Sequence, residues 1–445
     1  MALCFSRPAW ESKTKSVADL KKVLIITYYW PPSGGSGVQR WLKFVKYLPS
    51  FGIEPIVFTP ENPHFELKDS SLLDDVPENL EVLHFPIWEP YRIVERIQSF
   101  FGKSKSGQSS LNKPGGILGF IRANFFIPDP RVFWVRPSVR FLKSFIQDNE
   151  IHTVITTGPP HSVHLIGLGL KRQIPSLKWL ADFRDPWSTW GFLLNLRPTR
   201  LALSIHKRLE HKVLKAADAV TTVSKFYSTQ IGALAGRRVE IFTNGYDSDD
   251  FKNLIHGRTS NFIIRHVGIL HPACNPEPFL KVFSRWIVEK KLLGKIELRF
   301  TGQVHTKFLN LVKADPVLTQ SVIIEPPVNH SRLIQLYGQT SAVLLILTGY
   351  KDAEGFLPGK LFEYLATGLP VLAIGPASGD AAVVLSDTGA GKMVESEDEK
   401  GIIELLENSY KSWLGSVLIE KLPGRAAEFS RAHIAEKMAD FLKTM

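Results

Sequence analysis

A lysine and a glutamate three residues apart open a short helical pattern within Ala353-Glu-Gly-Phe-Leu-Pro-Gly-Lys-Leu-Phe-Glu-Tyr-Leu-Ala-Thr-Gly-Leu-Pro-Val371. Pro358-Gly359 starts that helix and Gly368 stops it, just before a strand that begins at Pro370. Lys360 falls in the first turn and Glu363 lies on the same face. A diphosphate at this N-terminus would meet the free backbone N–H groups of Gly359 and Leu361 and the Lys360 ammonium. Glu363 could then accept hydrogen bonds from ribose hydroxyls. The same spacing also fits a surface Lys–Glu pair, and composition does not decide between the two.

Three further clusters could take part in such chemistry. In Trp30-Pro-Pro-Ser-Gly-Gly-Ser-Gly37, Gly34, Gly35 and Gly37 let the backbone come close to a ligand, and the next helix aims free N–H groups at an anion. A flexible turn with no ligand is the plain alternative. A dinucleotide site with Glu61 on the ribose fits poorly, because the third glycine of G-x-G-x-x-G is missing. In Trp179-Leu-Ala-Asp-Phe-Arg-Asp-Pro-Trp-Ser188, Arg184 and Asp185 stand where a strand ends, the edge at which open α/β sheets bind ligands. Asp185 could equally cap a turn and pair with Arg184. Thr157-Gly-Pro-Pro-His161 ends another strand and makes His161 a candidate, whereas His164 reads as packing or surface.

The elements that must position these residues follow an α/β rhythm. Lys22–Tyr29 is an apolar, β-branched run of the buried parallel type. Val38, Trp41, Leu42, Val45 and Leu48 then recur at helical spacing, and Ile53–Thr59 forms the next strand. Further strands are expected at His152–Thr157, Leu177–Phe183 and Ala219–Val223. A second series is expected at Phe262–Val267, Ile296–Phe300, Val322–Glu325, Ala342–Leu347 and Pro370–Ile374. The predicted fold is therefore α/β, with two Rossmann-like domains facing a central cleft. Residues 1–20 read as a loose leader, 21–245 as the first domain, 246–424 as the second, and 425–445 as a helix packing back on the first. An irregular basic and aromatic insert is expected at about 85–140. It includes Tyr91, Arg92, Arg96, Phe100, Phe101, Phe120, Arg122, Phe125, Phe126, Arg131, Phe133, Trp134 and Arg136, with a mobile loop over Phe100–Gly119.

Several of these segments, taken in order, resemble glycosyltransferase family 4, retaining enzymes of the GT-B fold. Lys360-Leu-Phe-Glu-Tyr-Leu-Ala-Thr-Gly-Leu-Pro-Val371 is similar to that family's donor-binding motif. Tyr28-Tyr-Trp-Pro-Pro-Ser-Gly-Gly35 looks like its N-terminal loop over the donor phosphates. Ala216-Ala-Asp-Ala-Val-Thr-Thr-Val-Ser224 and Asn244-Gly-Tyr-Asp247 with Phe251 resemble its later landmarks. The resemblance implies transfer of a sugar from a nucleotide-sugar donor with retention and without a metal or other cofactor. It places the donor on the second domain, with Pro326-Pro-Val328 near the base, and the acceptor on the first. Two departures stand out. In the register of the family's first glutamate this chain has Gly355, with Glu354 beside it. The loop Pro272-Ala-Cys-Asn-Pro-Glu277 lacks the usual basic residue, which leaves more of the phosphate charge to Lys360 and the helix N-terminus and implies weaker donor binding or compensation by Lys351 or Arg184.

Bulk properties set the limits. The 445 residues exceed one ordinary domain, and 44% hydrophobic with 22% charged residues describes a globular chain. Cys4 and Cys274 form neither a disulfide framework nor a metal-ligand pattern, which fits a reducing cytoplasmic setting. No apolar run has spanning length, and the N-terminus has no signal-peptide pattern. The net charge of +11 admits nucleic acid, an anionic membrane surface or a phosphorylated substrate as partners. The basic residues form no block and no nucleic-acid motif, so nucleic acid is not expected. The insert's interleaved Arg and Phe suit a membrane surface, on the inner face, or the loading of a lipid-linked or other glycan acceptor, and ordinary packing of a helical insert is the plain alternative. A sugar-nucleotide epimerase and a non-catalytic donor-binding protein are the rival readings.

Overall fold

The computed structural model describes residues 20–65, 68–89, 117–271, 274–349, 352–415 and 424–445. The leader, residues 90–116 of the insert with their Tyr91, Arg92, Arg96, Phe100 and Phe101, Pro272–Ala273 and Lys351 lie outside the described residues. Two parallel sheets organise the chain. The first contains β1 (Lys21–Ile26), β2 (Ile53–Pro60), β3 (Glu81–Phe85), β4 (Thr153–Gly158), β5 (Lys178–Phe183), β6 (Ala219–Thr222) and β7 (Glu240–Ile241). Their spatial order is β3-β2-β1-β4-β5-β6-β7. The second contains β8 (Phe262–Val267), β9 (Ile296–Thr301), β10 (Val322–Glu325), β11 (Ala342–Ile346), β12 (Val371–Ile374) and β13 (Gly391–Val394), ordered β10-β9-β8-β11-β12-β13. Every strand pair is parallel.

Each order reverses once, between β1 and β4 in the first sheet and between β8 and β11 in the second. Helices leave in opposite directions at such a point, so a crevice opens beyond the strands' carboxyl ends. Central strands fully covered on both faces account for the apolar runs of the sequence. Val23 to Ile26 and Ala342 to Leu345 are completely buried.

The first sheet is tied together by one carboxylate. Asp182, wholly buried on β5, accepts hydrogen bonds from Arg40 Nε and Nη2 (3.2 and 2.9 Å), Trp41 Nε1 (2.8 Å), Thr157 Oγ1 (3.0 Å) and Thr221 Oγ1 (2.9 Å). These donors come from β4, from β6 and from helix Ser36–Tyr47. They hold the carboxyl below the usual carboxylate range against the opposing effect of burial, Arg40 contributing most.

The last helix, Arg431–Thr444, returns to the first sheet. Ile434, Ala435, Met438, Ala439 and Leu442 join a core with Val23, Ile25, Trp41 and Leu48. Phe441 and Met445 pack at its edge. Arg431 fastens the start of this helix by donating to the Gly245 carbonyl (2.8 Å), the Gln39 carbonyl (3.0 Å) and Gln39 Oε1 (2.8 Å).

Part of the insert is more regular than its sequence suggests. Helix Ile117–Phe125 takes in the last three residues of the expected mobile loop. Phe133, Trp134, Arg136 and Arg140 sit on a 17-residue helix, Val132–Asp148. Its buried residues Trp134, Ser138, Val139, Leu142 and Ile146 carry the helical period, which Pro137 and the outward-facing arginines obscure. Strands β3, β7 and β13 were also not expected. They lie at or beside sheet edges, where one or both faces stay partly open and the apolar signal is weak.

Replacing Asp182 by Ala leaves the Arg40 guanidinium buried without its counter-charge. Urea unfolding should show a loss of about 3–5 kcal/mol.

Candidate functional site

The carboxyl ends of the two sheets face each other across a cleft of about 970 Å³. Its wall on the first sheet is made by the loops after β1 (Ser33, Gly34, Gly35 and Gly37), β4 (Pro159 to His161) and β5 (Arg184, Asp185, Trp187 and Trp190). Its wall on the second is made by the loop after β8 (Gly268 to His271, and Cys274) and by Phe356 to Lys360 with Glu363, beyond β11. The cleft therefore lies over both reversal points.

Helix Gly359–Thr367 starts at Pro358 without a side-chain cap, and nothing lies within 4 Å of where a Gly359 Cβ would stand. The cleft beside this helix start is therefore open. Lys360 reaches from this turn to within 3.3 Å of His266 Nε2, at the end of β8. His266 Nδ1 lies 3.0 Å from the Leu344 carbonyl, which can only accept. Nδ1 therefore carries the proton, and Nε2 receives the Lys360 N–H. Burial, with Lys360 adding to it, keeps this imidazole neutral, well below its ordinary range. Burial also pulls the Lys360 ammonium down to about 8. A desolvated cation with a neutral neighbour gains strongly from an incoming anion.

One turn further on, Glu363 Oε2 accepts the Tyr337 hydroxyl (3.3 Å), and Oε1 lies 3.8 Å from His330 Nε2. His330 is raised above its ordinary range, first by its hydrogen bond to Glu363. Cys274 lines the cleft where the sequence lacks a basic residue. It is nearly buried, and burial pushes its thiol up to about 11.

Opposite stands the glycine turn. Gly35 caps helix Ser36–Tyr47 at φ 95°, which glycine adopts without strain, and the helix has no side-chain cap. Arg184 holds this turn from below, donating to the carbonyls of Gly37 (2.5 Å), Gly158 (3.2 Å) and Pro159. A Cβ on Gly37 would stand 2.7 Å from Arg184 Nη1 and would displace the guanidinium from these carbonyls. Arg184 is thus a brace between two loops as well as part of the wall. Asp185 makes no hydrogen bond among the described residues, and burial raises its carboxyl. His161 stacks parallel on Trp187, 5.1 Å away, and burial holds its ring neutral, well below its ordinary range. His164 is packing, bonded to Thr156 Oγ1 (2.9 Å) and stacked on Phe183.

The cleft gathers Gly34, Gly35, Gly37, His161, Arg184, Asp185, Gly359, Lys360 and Glu363, and three sequence-expected site residues fall elsewhere. Val328 is an exposed residue of the loop after β10, outside the wall. Leu361 is a core side chain whose N–H donates to the Pro358 carbonyl (3.0 Å). Glu354 is exposed in the turn Ala353–Gly355 and does not line the cleft. Its neighbour Gly355 packs against the first sheet's helix Lys225–Ala235, where a Cβ would come 2.6 Å from the Phe226 ring. That contact fixes the turn with Glu354 outside. His266 was not foreseen, although it precedes Gly268 at a strand end, and Trp190 also belongs to the wall.

The two-sheet fold has solved counterparts. A glycosyltransferase from Rickettsia africae superposes with a TM-score of 0.62 at 14% identity, over 96% of this chain and 98% of that one. Sucrose-phosphate synthase from Thermosynechococcus elongatus gives 0.62 at 13%, over 95% and 98%. WaaG, a glycosyltransferase involved in lipopolysaccharide biosynthesis, gives 0.57 at 15%, over 95% and 100%. The fold is GT-B. In GT-B terms the cleft is the space between the two Rossmann-like halves. No family model and no curated protein sequence matches the chain.

Inorganic pyrophosphate should bind this cleft most tightly while Lys360 is protonated. Because burial lowers the free ammonium to about 8, calorimetric affinity corrected for the ligand's own protonation should be level below that pH and fall above it, by up to about tenfold per unit. Lys360→Met should bind more weakly and remove that fall.

Proposed function

We propose that this protein transfers a sugar from a nucleoside-diphosphate sugar to an acceptor, with retention of anomeric configuration. The observation that carries the proposal is the corner at Gly359–Glu363. There an uncapped helix N-terminus, one desolvated ammonium and a carboxylate one turn later match a diphosphate followed by a ribose. The glycine turn, on the opposite wall, supplies a second uncapped helix end. As the bond from sugar to diphosphate breaks, negative charge grows on the leaving oxygen. Lys360 and the N–H groups of both helix ends would stabilise that charge. Retention rests on the resemblance of the Lys360–Val371 segment to family 4, in which the acceptor attacks from the face that the phosphate leaves. The donor is read as a co-substrate, and no further cofactor is proposed.

The acceptor belongs on the first sheet's side of the cleft. A lipid-linked or cell-surface glycan is proposed, with the protein held peripherally on the inner face of a membrane. Its support is the exposed set Trp88, Phe125, Phe133 and Leu201, interspersed with exposed Arg136, Arg140 and Arg200. No described helix is long and apolar enough to cross a bilayer.

Epimerisation would need a pair of acid/base groups at the donor sugar. Of the cleft carboxylates, Asp129 is held by Arg131 N and Ser162, and Glu363 by Tyr337 and His330. Asp185 is left as the carboxylate without a hydrogen bond.

The test is to incubate the protein with a panel of nucleotide sugars, with and without lipid extract, and measure nucleoside diphosphate release. Release should rise with extract, and NMR of the product should show the donor's anomeric configuration kept. Lys360→Ala should cut turnover by about 10²–10³-fold. Glu363→Ala should weaken nucleoside diphosphate binding by about tenfold or more. Neither binding nor release with any donor would sink the proposal.

A further inference from the structure

On the acceptor side the wall contains an aromatic surface that packing does not account for. Trp190 and Phe192 both line the cleft half-buried, with ring centroids 4.9 Å apart and planes tilted by 38°. The Arg122 guanidinium lies over Phe192, 4.9 Å from its centre. The indole N–H of Trp190 has no hydrogen-bond acceptor among the described residues, and the Asp185 carboxylate on the same loop has no donor. Core aromatics elsewhere in this loop behave differently. Trp187 is fully buried, stacks on His161 and donates its N–H to His206 Nδ1 (3.0 Å).

The loop that carries Trp190 is firmly set. The Ser188 N–H donates to Glu210 Oε2 (3.2 Å), Thr189 Oγ1 to Gln230 Oε1 (3.1 Å), and the Trp190 N–H to the Trp187 carbonyl (3.3 Å). His161 stands edge to face with Trp190, 6.2 Å away. A preset, half-buried indole at the wall of the cleft offers apolar surface with a spare donor at its rim and a spare acceptor nearby. A pyranose ring has the complementary surface, with C–H groups on its faces and hydroxyls around its edge.

We propose that Trp190 is the platform on which the acceptor's sugar ring stacks, with Asp185 accepting hydrogen bonds from its hydroxyls. This inference rests on the transferase reading above. The donor's charged parts are assigned to Lys360, Glu363 and the helix ends, none of which belongs to this loop. Trp190 stands on the first sheet's wall, the side to which the acceptor is assigned, and in this proposal it sets acceptor preference.

Saturation-transfer NMR with a panel of methyl pyranosides, alongside calorimetry with nucleoside diphosphates, tests it. In the wild-type protein, saturation should reach the C–H protons of one ring face of at least one pyranoside. Trp190→Ala should weaken that pyranoside by about tenfold while the nucleoside diphosphate Kd moves by less than about twofold, and Trp190→Phe should restore most of the loss. The unchanged nucleotide affinity also reports that the variant is folded. If Trp190→Ala does not fold, the Trp190→Phe protein and the pattern of saturated protons in the wild type decide the matter. No pyranoside binding in the wild type, equal binding in the variants, or a loss that falls on the nucleotide would each overturn the inference. Failure of the wild type to bind any nucleotide would instead overturn the transferase reading.

Discussion

The buried pair of Asp182 and Arg40 sets the geometry on which the cleft depends. One carboxylate collects donors from two strands and from the helix behind the glycine turn, so that helix cannot shift without leaving charge unpaired. Arg40 extends the constraint outward. Its Nη1 donates to the carbonyls of Phe242 (2.8 Å) and Thr243 (3.1 Å), in the segment that leaves the first sheet for the second. The uncapped helix end, the strand ends and the connection between the halves are thereby placed relative to one another by one charged pair.

A second cluster continues this from the same helix. Asp247 accepts from Lys43 (2.7 Å), Lys46 (2.9 Å) and Tyr47, and the three donors hold its carboxyl far below the usual range against its burial. One helix thus presents its N-terminus to the cleft and grips the inter-sheet connection with its C-terminal half. Anion recognition and the seating of the two halves are properties of a single rigid element. Closer to the chemistry, Lys360 and His266 extend the same economy, since the neutral imidazole positions the ammonium without neutralising it.

Much of this was legible from residue order. Parallel strands covered on both faces write continuous apolar runs, so the inner strands of both sheets could be read directly, as could the helix-opening Pro358-Gly359 and the face shared by Lys360 and Glu363. What was hidden depends on contacts between distant residues. Asp182 looks like Asp185 in sequence, yet one is wholly buried beneath five donors and the other stands unpaired in the wall. Arg184 suggested a ligand-facing cation, and its carbonyl partners, up to 147 positions away, cannot be inferred from its neighbours. Glu354 and Val328 were located by analogy of register. Their exposure follows from how a turn packs against Phe226 and how an edge strand ends, neither of which has a local signature.

The returning helix Arg431–Thr444 has a consequence for how the protein is made. Its residues complete a core that begins with Val23 and Ile25, so part of the first sheet's apolar face stays uncovered while the whole second half is being translated. The two halves cannot mature as independent beads released one after the other. The second must be synthesised, and its own sheet assembled or at least tolerated, before the first is sealed.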